Sequence, residues 1–229
     1  MGRPLRCSLG GFVYHVLNRG NGREPVFCKD GDYDAFLRVM REAQEHVPGM
    51  RLLAYCLMPN HWHLILWPQK DGELSDYMHW LTLTHTQRWH AHYRNVGVGH
   101  LYQGRFKSFP IAADEHFLVA CRYVERNALR AGLAVRAEDW RWGSLAQRRG
   151  VGSAGAPELA EGPIPWPRGW AAWVNEAQNE AEFAALRRCI ERGQPYGDES
   201  WVKRAASRLG LESALRSRGR PKKATEKGS

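Results

Sequence analysis

Apolar and polar residues alternate in short blocks along this chain, and the period of the alternation changes from block to block. Phe12–Asn18 is β-rich and closes on Arg19-Gly20-Asn21-Gly22, which reads as a strand leaving through a turn. From Asp30 to His46 the apolar positions Tyr33, Phe36, Leu37, Met40 and Ala43 recur at helical spacing, and Pro48-Gly49 ends the run. Arg51–Met58 and His61–Trp67 are two apolar runs around a Pro59-Asn60 corner, the pattern of a β-hairpin. Glu73 to about Arg94 is long and helical, and Phe106–Ile111 is a short strand.

Asp114 then stands where an N-cap belongs, before an uninterrupted helical pattern over Glu115–Ala131 with Gly132 at the C′ position. Strand, helix, strand, strand, helix, strand is the split βαβ order. The expected class is α+β: a ferredoxin-like core with an antiparallel sheet and its helices on one face. Residues 1–149 read as this domain and the Gly-, Ala- and Pro-rich residues 150–169 as a linker. Residues 170–210 read as a helical C-terminal extension, with helices at Glu176–Arg192 and near Trp201–Leu209. Residues 211–229 read as a basic, flexible DNA-binding tail.

Composition sharpens this picture. At 229 residues, 43% hydrophobic with ten Trp, the chain has apolar surface enough for a real core, which excludes disorder throughout. No apolar run is long enough to span a bilayer, and Met1–Phe12 lacks a signal peptide's apolar stretch, so a cytoplasmic place of action and no membrane partner are expected. Five scattered cysteines without a CxxC pair read as reduced, mostly buried thiols. The net charge of +9 is uneven: Trp201–Ser229 holds nine basic and two acidic residues, against 24 and 22 in residues 1–200. A nearly neutral body with a cationic tail points to a polyanion partner, with a merely solubilising tail as the alternative.

Four groups of residues could carry chemistry. In a strand, His61 and His63 project to one side and Trp62 to the other, so two imidazoles converge while the indole anchors in the core. Imidazole is the commonest metal ligand near neutral pH; the other reading is two half-buried sheet histidines. Tyr123 and Asn127 are four apart on one helix face, at the edge of the apolar stripe Phe117, Cys121 and Val124; a packed ring with a wetted hydroxyl is the alternative. Arg105 and Lys107 are interleaved with Tyr102 and Phe106, and Arg122, Arg126 and Arg130 recur every four residues. Both arrangements suit phosphate contacts beside stacked bases, or simple solubility. In the tail, Arg218, Arg220, Lys222 and Lys223 surround Gly219 and Pro221, a slim cationic strand able to enter a narrow minor groove.

Taken together, residues 11–23 (GFVYHVLNRGNGR), 55–66 (YCLMPNHWHLIL), 101–111 (LYQGRFKSFPI) and 122–133 (RYVERNALRAGL) resemble the REP-associated tyrosine transposases. These are IS200-like enzymes of the single-tyrosine branch of the HUH nucleases. The resemblance implies that Tyr123 is the nucleophile, that His61, His63 and Asn127 hold Mg²⁺ or Mn²⁺, and that His15 and His116 are possible supporting residues near the site. It implies cleavage and rejoining of single-stranded DNA beside a REP-type hairpin through a 5′-phosphotyrosine, in a bacterial, nucleoid-associated setting. Ala128 stands where the family often has Pro, and Gly143-Ser144 where a Ser pair is common; neither touches the chemistry. A monomer with Tyr123 supplied in cis is expected, because only Ala112-Ala113 joins the helix to the preceding strand; a dimer is the alternative. A non-catalytic hairpin-binding regulator, another metallohydrolase built on the histidine pair, and a module that binds through its tail alone remain as alternative functions.

Overall fold

A computed structural model describes residues 8–97 and 99–216. The expected tail contacts Arg218, Arg220, Lys222 and Lys223 lie outside the described residues. The core order is β1 (Val13–Arg19), α1 (Asp30–His46), β2 (Met50–Met58), β3 (His61–Pro68), α2 (Glu73–Tyr93) and β4 (Lys107–Ile111). The strands form one sheet in the order β2-β3-β1-β4, antiparallel at every pairing. This is the α+β split βαβ architecture expected from the pattern.

The period-two alternation of β3 decides which residues meet which layer. Trp62, Leu64 and Leu66 join Tyr14, Val16 and Leu57 under α1 and α2. Ile65 joins Val13, Cys56 and Phe109 on the opposite face. A register shift in β2 between Leu52 and Ala54 puts both Leu53 and Ala54 on that second face, with Tyr55 back on the first. Trp62 is fully buried, so the two histidines beside it are held on the second face by a large apolar anchor.

α1 and α2 share one face of the sheet, as the split βαβ order requires. The helix that follows, α3 (Glu115–Glu125), closes the other face through Phe117, Ala120, Cys121 and Val124. Asp114 caps it by accepting from the His116 N–H at 2.9 Å. Continuity over Glu115–Ala131 does not hold: α3 stops at Glu125, and α4 (Asn127–Arg130) begins after Arg126. Local competition explains the break. The Asn127 side-chain amide donates to the carbonyls of Tyr123 and Val124, offering them a partner other than the helix ladder.

The remaining elements are α5 (Ser144–Arg148), α6 (Trp170–Asn175), α7 (Glu180–Arg192), α8 (Glu199–Leu209) and α9 (Glu212–Leu215). Residues 150–169 are not a free spacer. The Ala160 N–H donates to the Leu52 carbonyl at 2.8 Å, the Gln44 amide bonds both backbone groups of Glu158, and Trp166 lies 5.5 Å from Phe117. α7 starts at Glu180 rather than Glu176, behind an Asn179 cap. The carbonyls of Glu176 and Ala177 are held instead by Arg122. Cys56, Cys121 and Cys189 are buried, Cys28 is exposed, and all four are free thiols. Among the described residues no helix is long and apolar enough to cross a membrane.

Candidate active site

β3 brings His61 and His63 side by side, with ring centroids 5.1 Å apart. The Pro59-Asn60 corner that starts the strand also orients His61, whose Nδ1 lies 2.7 Å from Asn60 Oδ1. His63 Nδ1 lies 2.9 Å from His15 Nε2, reached across the β1–β3 pairing. One ring nitrogen of each imidazole is thus engaged, and Nε2 of each remains to act as a ligand. Burial holds His61 down to about 4 and His63 well below the ordinary imidazole range. Both are therefore neutral, with a lone pair, near pH 7.

Tyr123 faces this pair from α3: its ring is 5.9 Å from His63 and 6.2 Å from His15. Tyr123, His61 and His63 line one cleft of about 920 Å³. Its other walls carry Arg19, Arg23, Arg105, Lys107, Arg130 and Arg187 against a single carboxylate, Glu191, an imbalance that suits a polyanion.

The other expected residues divide. Arg105, Lys107 and Arg130 line the cleft. Arg122 and Arg126 do not form a strip for phosphate. The buried Arg122 guanidinium donates to the carbonyls of Trp173, Glu176 and Ala177 and lies 3.7 Å from Glu182, while Arg126 donates to Val174 and Asn175. These two arginines pin the C-terminal extension to the core. His116 stands away from the cleft, where its ring bonds the capping Asp114 at 2.8 Å and meets Tyr196. Arg19, Arg23, Asn60, Phe183, Arg187 and Glu191 join the site beyond the residues the sequence singles out for it. Arg19 and Arg23 flank a Gly-Asn-Gly turn beside the histidine hairpin, a signal that was available, whereas the contribution of α7 had none.

Two neutral imidazoles on one strand suit a divalent ion. Among the described residues no three His, Cys, Asp or Glu side chains gather where a metal ion could be held, so a third protein donor must be of another type. The expected amide, Asn127, is not among the residues that line the cleft; its Nδ2 donates to the carbonyls of Tyr123 and Val124. It is fully buried, and its Oδ1 accepts from the Arg130 guanidinium. The histidine pair fits a metal, and Asn127 could join only with Arg130 moved aside or sharing its oxygen.

Burial also sets an acid limit on the fold. His15 and His85 are both pushed down to about 3, from an ordinary value of 6.5. A depressed folded value adds stability above the unfolded value, and that stability is lost as the pH falls towards the folded one. In Glu125→Gln, which removes the one buried carboxyl among the described residues that titrates in the opposite sense, the urea midpoint is therefore expected to fall as the buffer is acidified below pH 6.5. A midpoint unchanged between pH 6.5 and pH 4 would contradict the burial of these rings.

Residues 9–127, just over half of the chain, match the sequence profile of the IS200-like transposases. A solved structure of a REP-associated tyrosine transposase bound to a REP hairpin is 17% identical, with a TM-score of 0.53 over 70% of this chain and 94% of that one. At that identity the likeness establishes the shared fold. A candidate transposase from Deinococcus radiodurans R1 is 16% identical over 67% of this chain and 100% of its own, with a TM-score of 0.38. No curated protein sequence matches. From its segment match and its fold, the chain belongs to the IS200-like transposases, a family of DNA-processing enzymes.

Proposed function

We propose that this transposase is a metal-dependent single-stranded DNA endonuclease and strand transferase, acting beside a REP-type hairpin through a 5′-phosphotyrosine intermediate. The observation that carries the reading is the meeting of Tyr123, His61 and His63 in one cation-walled cleft of a single chain. Tyr123 Oη attacks the scissile phosphorus in line. The new Tyr–O–P bond forms as the P–O3′ bond breaks; the phenolic proton passes to solvent, and solvent returns one proton to the departing 3′ oxygen, which leaves as a hydroxyl. Because the phosphotyrosine conserves the phosphodiester linkage, attack by a 3′-OH reverses the step and rejoins strands without ATP. His61 and His63 would hold the divalent ion, Mg²⁺ or Mn²⁺, with Asn127 as third donor once Arg130 yields or shares its oxygen. When bound, the ion neutralises charge at the scissile phosphate. Arg105 and Lys107 bind the strand by its phosphates, as do Arg218, Arg220, Lys222 and Lys223 of the tail. The enzyme acts as a monomer with Tyr123 in cis, in the bacterial cytoplasm at the DNA.

The test is incubation of the full chain with labelled REP-type hairpin oligonucleotides and Mn²⁺, resolved on a denaturing gel. A covalent protein–DNA band is expected. It disappears on chelation, and it disappears in His61→Ala. A band that persists in His61→Ala would remove the metal from the scheme. Hairpin binding with no band under any condition would replace the reading with the non-catalytic regulator.

A further inference from the structure

α7 lies outside residues 9–127, the segment matched to the family, yet it walls the Tyr123 cleft through Phe183 and Arg187. These two residues are four apart and share one helix face. The Phe183 ring is 6.0 Å from the Tyr123 ring. Two guanidiniums lie over Phe183: Arg130 at 4.8 Å from its centroid and Arg187 at 5.7 Å. Arg130 also lies 4.8 Å from the centroid of Tyr123, so one cation bridges the two rings. Among the described residues neither Arg130 nor Arg187 forms an ion pair. Two like charges gathered on one ring repel each other, and an anion placed between them relieves that repulsion. A guanidinium lying over an aromatic ring keeps its N–H edge for hydrogen bonds to phosphate oxygens; Arg130 gives one amino group to Asn127 Oδ1 and has its other N–H groups for the anion.

We propose that Arg130 and Arg187, mounted on Phe183, form a phosphate subsite for the strand held against Tyr123, so that the C-terminal extension completes the cleft. The proposal rests on the reading of Tyr123 as the DNA-cleaving nucleophile. Arg187 acts on the substrate; Phe183 is a positioning residue that acts through Arg130. Arg122 ties α7 to the core: it lies 3.7 Å from Glu182 and holds the Glu176 and Ala177 carbonyls just before that helix.

The experiment uses the full chain, a labelled REP-type hairpin oligonucleotide with a single-stranded flank, and Mn²⁺. It measures half-saturating protein concentration, saturating single-turnover rate, and the salt dependence of binding. Arg187→Ala is expected to raise the half-saturating concentration about tenfold and to reduce the log–log salt slope by about one. Arg187→Lys should recover most of the affinity. Phe183→Ala should lower the saturating rate, and Phe183→Tyr should restore it. Unchanged affinity and salt slope in Arg187→Ala would overturn the subsite, and an unchanged rate in Phe183→Ala would overturn the platform. If the wild type forms no covalent adduct, the reading of Tyr123 fails, while the affinity and salt-slope comparison of Arg187→Ala with wild type still decides the subsite.

Discussion

Tyr123→Phe is expected to abolish the covalent protein–DNA band and to reduce strand cleavage by at least about 10³-fold, because it removes the atom that forms the new bond. The substitution deletes one oxygen and keeps the ring. The contacts of that ring with His63, with Phe183 and with the Arg130 guanidinium all survive. Hairpin affinity and thermal stability should therefore stay close to wild type, which separates loss of chemistry from loss of structure. Gel detection of the adduct, with binding measured in parallel, checks both halves. Residual adduct at wild-type level would mean that another nucleophile does the work. Its sulfur or oxygen would have to be found by mapping the labelled peptide.

Replacing Glu125 with Ala should cost about 3–5 kcal/mol of unfolding free energy, read from urea denaturation, because it breaks a buried network and leaves its partners without an acceptor. The Glu125 carboxyl is fully buried. It accepts from Ser144 Oγ at 2.5 Å and from Trp170 Nε1 at 2.6 Å, with Arg148 Nε at 3.5 Å. Arg148 in turn reaches the Leu53 carbonyl and lies over Trp166. One side chain on the tyrosine helix thereby ties together β2, α5 and α6. Burial raises the Glu125 pKa above the ordinary carboxylate range, and the hydrogen bonds and Arg148 only partly oppose this. A raised folded value means that the native state keeps a proton the unfolded chain has already released. The stabilisation from this group is complete below the ordinary carboxylate range and is lost as the pH rises through the folded value. Glu125→Gln retains the shape and should flatten that part of the stability profile. A loss below about 1 kcal/mol in Glu125→Ala would show that the network contributes no more than an ordinary surface contact.

Local pattern revealed much of this molecule. Periodicity located the four strands and the long helices, and the split βαβ order followed from their sequence. The alternation of His61, Trp62 and His63 placed the indole in one core and the imidazoles on the opposite face, as the pleat of a strand requires. The break at Arg126 was not legible, because nothing in the helical period shows that the Asn127 amide will take the carbonyls of the preceding turn. The six-residue α6 is too short to display a period in the sequence.

Charge was where local reading fell short. Arg122, Arg126 and Arg130 are equivalent by spacing, yet only Arg130 reaches the cleft, and the other two bind carbonyls some fifty residues further along the chain. Phe183 meets Tyr123, and Arg187 lines the same cleft, from a helix about sixty residues away. Which face of a strand or helix a side chain occupies follows from backbone geometry over a few residues, so the order of amino acids was sufficient for it. Which distant groups then surround that side chain depends on how the whole chain closes. The packing of residues 150–192 over the sheet settles whether a cation meets a carbonyl, a ring or open water.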